Sequence, residues 1–568
     1  MGHRVVDHII DYLAVIGVRF VFGVDGANIE DLYDAAYRRS DIDAVLAKHE
    51  FSAATMADGY SRSGCGIGVV AATSGGGALN TVPALGEALA SRVPVLALIG
   101  QSPSALDGRG AFQDTSGRNG ALDAHALFSA VSVYCQRVLT PTDIRTALPA
   151  AIEAARTRRG PSVLLLPKDI QQAEIPVNGG VVVGERAGVP PVSPQAIARA
   201  LRRAEGPVTI VAGEQVARDD ARAELEALRG LLRARVVTVP DAKDVAGTPG
   251  RGSSSALGVS GVMGHPNVAS AIADSALCLL VGTRMTVTAR AGLDDALAAV
   301  PVYSIGSAPP YLSCTHVHTD DLRASLRALG DALTGAGRPA RLRVPDTVAR
   351  SVLQPPPHHG PGVRYRDAMA VLDAMLPDGV DIVVDAGNIG AAAIHHLPVR
   401  RDGRFVVALG MGGMGYSFGA GIGMAFGRGR RTLVIAGDGS FYMHGMEIHT
   451  ARQYGLPVTF LLFDNHAHAM CLTREQLFYG DRYSYNRFGP SRLGAGLGAM
   501  FPGLPTTDIE DIASLPAALT TALETDGPAV VGVECSADEV PPFAAFLDGA
   551  NVKPSAAEEI RTHALARP

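Results

Sequence analysis

An aspartate between two glycines, Gly437-Asp438-Gly439, closes one apolar run of this chain, and an asparagine, Asn465, closes the next. Leu433–Ala436 reads as a buried strand, Phe441–Tyr454 has helical spacing, and Pro457–Phe463 reads as a second buried strand. Strand, helix and strand in that order form a right-handed crossover that makes the two strands parallel. Asp438 and Asn465 then leave the same carboxyl edge of one sheet, where open α/β sheets bind ligands. A carboxylate, an amide oxygen and nearby backbone carbonyls are hard donors suited to Mg²⁺, which keeps few protein ligands and fills its shell with phosphate and water. The N–H groups of Gly439 and Ser440 open the helix and suit those phosphates. The same residues also suit an ordinary turn, since Asp is common in Gly-flanked turns.

Two more turns share this character. VVDAGNIG, Val383–Gly390, is another strand-to-helix start, with Gly387 and Asn388 as backbone and amide donors. The glycine loop Gly410–Gly415 is the third. Three donor-rich turns on one sheet edge fit a diphosphate with Mg²⁺ better than a lone phosphate; three ordinary βα loops are the plain alternative. Nearer the N-terminus, Glu50 follows the short apolar run IDAVLA and opens a helix whose buried side is Ala and Gly. A carboxylate in that setting is hydrogen-bonded, catalytic, or simply a helix-start charge. AATSGGGALN is a further Gly-rich turn, and GAFQDTSG is a polar loop carrying the amide of Gln113.

The elements that position these residues fall into three α/β blocks with doubly wound parallel sheets, at 1–175, 190–340 and 363–545, followed by a polar tail at 546–568. Buried strands are expected at FVFGV, GIGVVAAT, PVLALIG and PSVLLLP in the first block. The second has PVTIVAG, RVVTVP, ALCLLVG and PVYSIG, and the third DIVVDAG, FVVALG, TLVIAGDG, PVTFLLFDN and PAVVGVEC. Pro- and Gly-rich linkers, 173–194 and 341–363, separate the blocks. The first and third blocks share a pattern that implies related folds without a residue-level repeat.

Composition bounds the function. The 568 residues are 47% apolar with a net charge of −6, which lacks the concentrated basic face of a nucleic-acid binder. Six scattered cysteines form no Cys-x-x-Cys pair, so reduced thiols and a cytoplasmic location are expected. The uncharged run Phe405–Gly427 is long enough to span a bilayer, for which about 20 residues suffice. Its glycines at 415, 419, 423 and 427 recur on one helical face. Strand, loop and buried helix are expected there instead of a membrane span, with close backbone approach offsetting about 1 kcal/mol per helical Gly.

Taken in order, KHEFSAATMADGYSR, AATSGGGALN, GAFQDTSG, GPSVLLLPKDIQ, GMGGMGYSFGAGIGMAFG and the GDG…Asn pair resemble the thiamine-diphosphate-dependent carboligases and decarboxylases, most closely the acetohydroxyacid (acetolactate) synthase large subunit. The likeness covers nearly the whole chain. It implies pyrimidine-binding, central and diphosphate-binding domains in that order. It further implies that Asp438, Asn465 and the Ala467 carbonyl bind Mg²⁺, and that Gly387, Asn388, Gly439 and Ser440 hold the diphosphate. Met414 props the cofactor in its bent shape, and the Gly412 carbonyl receives its 4′-amino group. Glu50, supplied by a neighbouring subunit, bonds N1′ of the pyrimidine, so a homodimer or homotetramer is implied. The glycine face at Gly415–Gly427 is assigned to that assembly's close packing. The implied reaction decarboxylates a 2-oxo acid, by default pyruvate since Gln113 and its loop keep the synthase pattern. It then passes the acyl carbanion equivalent to a second small carbonyl compound. A simple decarboxylase, a carboligase with another donor, and a non-catalytic subunit are the alternatives.

Departures from the pattern are equally specific. Arg474 aligns with a Trp that helps choose the acceptor, and a guanidinium suits a carboxylate, phosphate or other polar group; the plain alternative is an Arg facing solvent. Asp25 and Gly76 stand where the family usually has Pro. VGTRMTVTARAGL, 281–293, lacks the Asp-Asp-Arg run of the FAD-binding synthases, so FAD is disfavoured.

Overall fold

The computed structural model describes residues 3–176, 194–246, 257–334, 350–482 and 485–551. They form three sheets whose ladders are all parallel. The strands at the sheet centres are runs of Val, Leu, Ile and Ala buried on both faces, as parallel strands flanked by helices must be. In the first sheet the spatial order is Asp43–Leu46, Phe20–Val24, Gly68–Ala72, Val95–Gln101, Pro161–Pro167, Tyr134–Arg137. In the third it is Phe405–Val407, Asp381–Val384, Thr432–Gly437, Val458–Asp464, Ala529–Glu534, Thr506–Ile509. Numbered along the chain, the two orders are the same, so the similarity of pattern is a similarity of topology. The central sheet runs Thr315–His318, Val302–Gly306, Leu277–Val281, Val208–Ala212, Arg235–Thr238.

Every strand expected from the sequence is present. Asp43–Leu46, Tyr134–Arg137, Thr315–His318 and Thr506–Ile509 are additions, and each lies at a sheet edge with few buried side chains. The expected linker at 173–194 falls mostly on 177–193, outside the described residues. So do 341–349 of the second linker and 552–568 of the tail; 350–363 carries neither helix nor strand.

The uncharged run resolves into the strand Phe405–Val407, a loop, and the helix Tyr416–Arg428. No helix among the described residues is long and apolar enough to cross a membrane. The glycine face of this helix packs on the helix Glu50–Arg62 of the same chain. A Cβ at Gly419, Gly423 or Gly427 would overlap Thr55, the Met56 carbonyl or Ser63, and one at Gly59 would overlap Ala420. This corrects the assignment of the stripe to subunit packing, because the chain itself fills it. One continuous core follows, joining Phe22, Met56 and Ile99 of the first block to Phe418, Val434 and Phe460 of the third. The central block keeps a core of its own.

Candidate active site

The strand Thr432–Gly437 runs straight into the helix Asp438–His444, with Gly437 as its extended N-cap. Asp438 is therefore the first helical residue, not the middle of a separate turn. The expected single helix to Tyr454 is broken by a 3₁₀ turn, Gly445–Glu447, before Ile448–Gln453. Gly445 lies against the Phe441 ring, where a Cβ would overlap it.

Gly437 pairs with Phe463 in the neighbouring strand Val458–Asp464, so Asp438 and Asn465 emerge side by side. One backbone donor joins them. The Ala467 N–H donates to Asp438 Oδ2 at 3.0 Å and to Asn465 Oδ1 at 3.1 Å. The Asn465 amide donates in turn to the Tyr365 hydroxyl at 3.2 Å, which keeps its oxygen facing Asp438. Burial, then the Asp464 carboxylate, pushes the Asp438 acid up to about 7, a cost that a bound cation relieves. Among the described residues no group of three His, Cys, Asp or Glu side chains could hold a metal. The donors here, one carboxylate with an amide and backbone oxygens, fit a cation that completes its shell with phosphate and water.

The three donor-rich turns do converge, and the residue that joins them is Asp385, which the sequence reading passed over. It follows the strand Asp381–Val384 and is fully buried. Its carboxylate accepts from Ser440 Oγ at 2.7 Å, Gly415 N at 3.0 Å and Ser417 N at 2.9 Å. The pattern VVDAG, an acid after a buried strand like that in IAGDG, was the available signal. Gly387 caps the helix Asn388–His396 with φ +121°, and a Cβ there would meet open space. Gly412, at φ +67°, is likewise open. At Gly439 the fit is closed: a Cβ would stand 2.6 Å from His468 Nδ1 and 3.1 Å from the Met414 methyl. Asn388 is buried, donates weakly to Thr473 Oγ1 at 3.4 Å, and leaves its Oδ1 without a partner.

Glu50 and Gln113 form a second group in the first block, around the turn 73–75 and the start of the helix Gly76–Ala90. Glu50 opens its helix half-buried; its Oε2 accepts from Asn80 Nδ2 at 2.9 Å, and its Oε1 lies beside Gly77. Gln113 has φ +59° and accepts from Ser74 Oγ at 3.2 Å. Among the described residues no hydrogen bond or ion pair joins either one to the Asp438–Asn465 pair. A second missed residue, Glu87, crosses between the blocks. It is buried and accepts the N–H groups of Gly410, Met411 and Gly412 at 3.1, 2.5 and 3.3 Å, fixing the glycine loop.

Of the departures, Asp25 is exposed and accepts the Gly26 N–H at 2.7 Å, while a Cβ at Gly76 would meet nothing. Arg474 is exposed on the helix Ala469–Tyr479, its guanidinium 5.8 Å over the Phe546 ring, and among the described residues it has no carboxylate partner.

Three family models match the chain in order. Residues 3–121 match the thiamine pyrophosphate enzyme N-terminal TPP binding domain, 194–319 its central domain, and 385–533 its C-terminal TPP binding domain. Among similar proteins, the acetolactate synthase isozyme 2 large subunit of Escherichia coli is 28% identical over 554 residues, 94% of this chain and 95% of that protein. A probable acetolactate synthase large subunit of Methanocaldococcus jannaschii is 28% identical over 520 residues, 85% of this chain and 84% of its own length. The acetolactate synthase of Arthrospira platensis is 28% identical over 558 residues, 94% of each chain.

Proposed function

The chain belongs to the thiamine pyrophosphate enzyme family, and from that premise we propose a thiamine-diphosphate- and Mg²⁺-dependent carboligase of the acetolactate-synthase type. It decarboxylates a 2-oxo acid, by default pyruvate, and transfers the acyl fragment to a second carbonyl compound. The observation that carries this reading is the single Ala467 N–H that holds Asp438 Oδ2 and Asn465 Oδ1 together in a buried, acid-raising site.

Asp438, Asn465 and the Ala467 carbonyl would hold Mg²⁺. Gly387, Asn388, Gly439 and Ser440 would hold the diphosphate, with Asp385 keeping Ser440 and the glycine loop in register. Bound thiamine diphosphate supplies the carbon acid and electron sink that let a 2-oxo acid lose CO₂. Met414, already seated over Gly439, would support the cofactor's bend, and the Gly412 carbonyl would accept from its amino group. The Glu50 carboxyl would hold a proton against the pyrimidine nitrogen N1′. Glu50 and Gln113 stay in their own block within one chain, which supports a homodimer, or a homotetramer built as a dimer of dimers, whose second copy completes each site. Gln113 would face the donor, and Arg474 would favour an acceptor bearing a carboxylate or phosphate. The sequence departure at 281–293 disfavours FAD. All six cysteines are free thiols, in keeping with the cytoplasm.

The test is CO₂ release from pyruvate by protein supplied with Mg²⁺ and thiamine diphosphate, with and without polar carbonyl acceptors. Release together with an acceptor-dependent product is the expected outcome. Release of a free aldehyde regardless of acceptor would make the protein a decarboxylase. Bound cofactor without CO₂ from any 2-oxo acid would exclude this donor class.

A further inference from the structure

Glu447 is buried, yet it belongs to neither group of site residues. It ends the 3₁₀ turn that follows the helix Asp438–His444, so it closes the segment that Asp438 opens. Its Oε1 accepts two backbone N–H groups from the first block, Lys48 at 2.8 Å and His49 at 3.0 Å. Its Oε2 accepts from Thr450 Oγ1 at 2.8 Å, so three donors converge on one carboxylate. Lys48 and His49 immediately precede Glu50, and His49 is the N-cap of the Glu50 helix, its Nδ1 accepting from Phe51 N at 3.1 Å.

Neighbouring contacts hold the same stretch. Tyr454 OH accepts from Leu46 N at 3.0 Å, and Lys48 Nζ donates to Gln453 Oε1 at 3.1 Å. The Phe51 ring stacks on His444 with centroids 4.2 Å apart, and His49 meets the same imidazole edge-on at 5.0 Å. Glu50 itself is half-buried, and the hydrogen-bond partner of its carboxylate, Asn80, lies in its own block. It is the backbone just before Glu50 that is bonded to the third block.

We propose that Glu447 is a positioning residue for Glu50, fixing the backbone that leads into the Glu50 helix, from which the carboxylate reaches the site that the second copy completes. This rests on the reading of Glu50 given above, and the experiment separates the two. A carboxylate that must meet one ring nitrogen tolerates little displacement, since about 1 Å can cost 10²-fold in rate. Glu447→Asp keeps the charge but withdraws the oxygens by one methylene from Lys48 and His49. Glu447→Gln keeps an oxygen that can accept both N–H groups.

Each protein is loaded with Mg²⁺ and thiamine diphosphate without substrate. Cofactor affinity is measured by calorimetry, and hydrogen–deuterium exchange at the thiazolium C2 by acid quench and NMR. Glu447→Asp is expected to slow exchange by about 10- to 100-fold while affinity stays within about threefold. Glu447→Gln is expected to exchange within about threefold of the unsubstituted protein. Unchanged exchange in Glu447→Asp would overturn the proposal, as would equal losses of exchange and affinity, which mark a general packing role. Slow exchange in both variants would also overturn it, because the charge and not the placement would then matter. If the unsubstituted protein neither binds the cofactor nor exchanges faster than cofactor free in solution, the reading of Glu50 fails first.

Discussion

Glu50 and Glu539 put two different demands on a carboxyl group. Glu50 has to be ionisable and reachable, and it opens a helix in a half-buried position with Asn80 as its fixed donor. Glu50→Gln keeps the shape but cannot exchange a proton with a ring nitrogen. It should leave affinity for Mg²⁺ and thiamine diphosphate nearly unchanged and slow C2 exchange by roughly 10²–10⁴-fold. Calorimetry beside exchange NMR checks this, and normal exchange would remove Glu50 from the chemistry. Glu539 is also half-buried, its carboxyl accepting the Tyr365 N–H at 3.1 Å, and burial pushes it up to about 7. The folded group keeps its proton until about pH 7, whereas the unfolded one loses it near 4.3. The protein therefore loses stability at this residue as pH rises from about 4.3 through 7. Glu539→Gln does not titrate, so it should gain stability relative to the unsubstituted protein across that window. Urea midpoints at pH 5 and pH 7.5 measure the gap, and a constant gap would refute the raised acid.

Among the elements, the helix pair Glu50–Arg62 and Tyr416–Arg428 decides how closely the first and third blocks approach. Gly423 sits where a Cβ would strike the Met56 carbonyl, a backbone atom that cannot rotate away. Gly423→Ala should destabilise by about 1–3 kcal/mol despite its better helix propensity. Gly86, inside the helix Gly76–Ala90, would meet only the Met411 side chain, at 3.8 Å. Gly86→Ala should stabilise by about 0.5–1 kcal/mol. Opposite signs for two Gly→Ala changes in urea unfolding would separate packing from propensity; equal signs would contradict the close approach. The strands show the same division. Central strands were legible because burial on both faces demands apolar runs. Thr315–His318, exposed at both ends, and Tyr134–Arg137, half-buried throughout, carry no such signal, because a sheet edge buries little of its strand.

For the whole molecule, the shared core of the first and third blocks and the separate core of the central block imply unequal responses to ligand. On the proposed function, Mg²⁺ with thiamine diphosphate binds the folded protein only and should stabilise it by about 2.7 kcal/mol at a hundredfold excess over Kd. Cys535 is buried in the third block and Cys278 in the central core. In moderate urea, the cofactor should slow alkylation of Cys535 more than that of Cys278, as read by peptide mass spectrometry. Equal protection would mean that the three blocks open as one unit.

Sequence alone determined the three parallel α/β blocks, the family resemblance, and the neighbouring exits of Asp438 and Asn465. Each follows from local rules: buried strands must be apolar, crossovers are right-handed, and ligands gather at carboxyl edges. Residues whose partners are remote in the chain were decided only by the tertiary structure. Asp385 tying three turns, Glu87 fixing the glycine loop and Glu447 fixing the backbone before Glu50 all work through N–H groups of distant segments. The glycine stripe belongs with them. Its spacing announced a close neighbour, but which backbone filled it depended on how two blocks dock, and no periodicity along one helix encodes that.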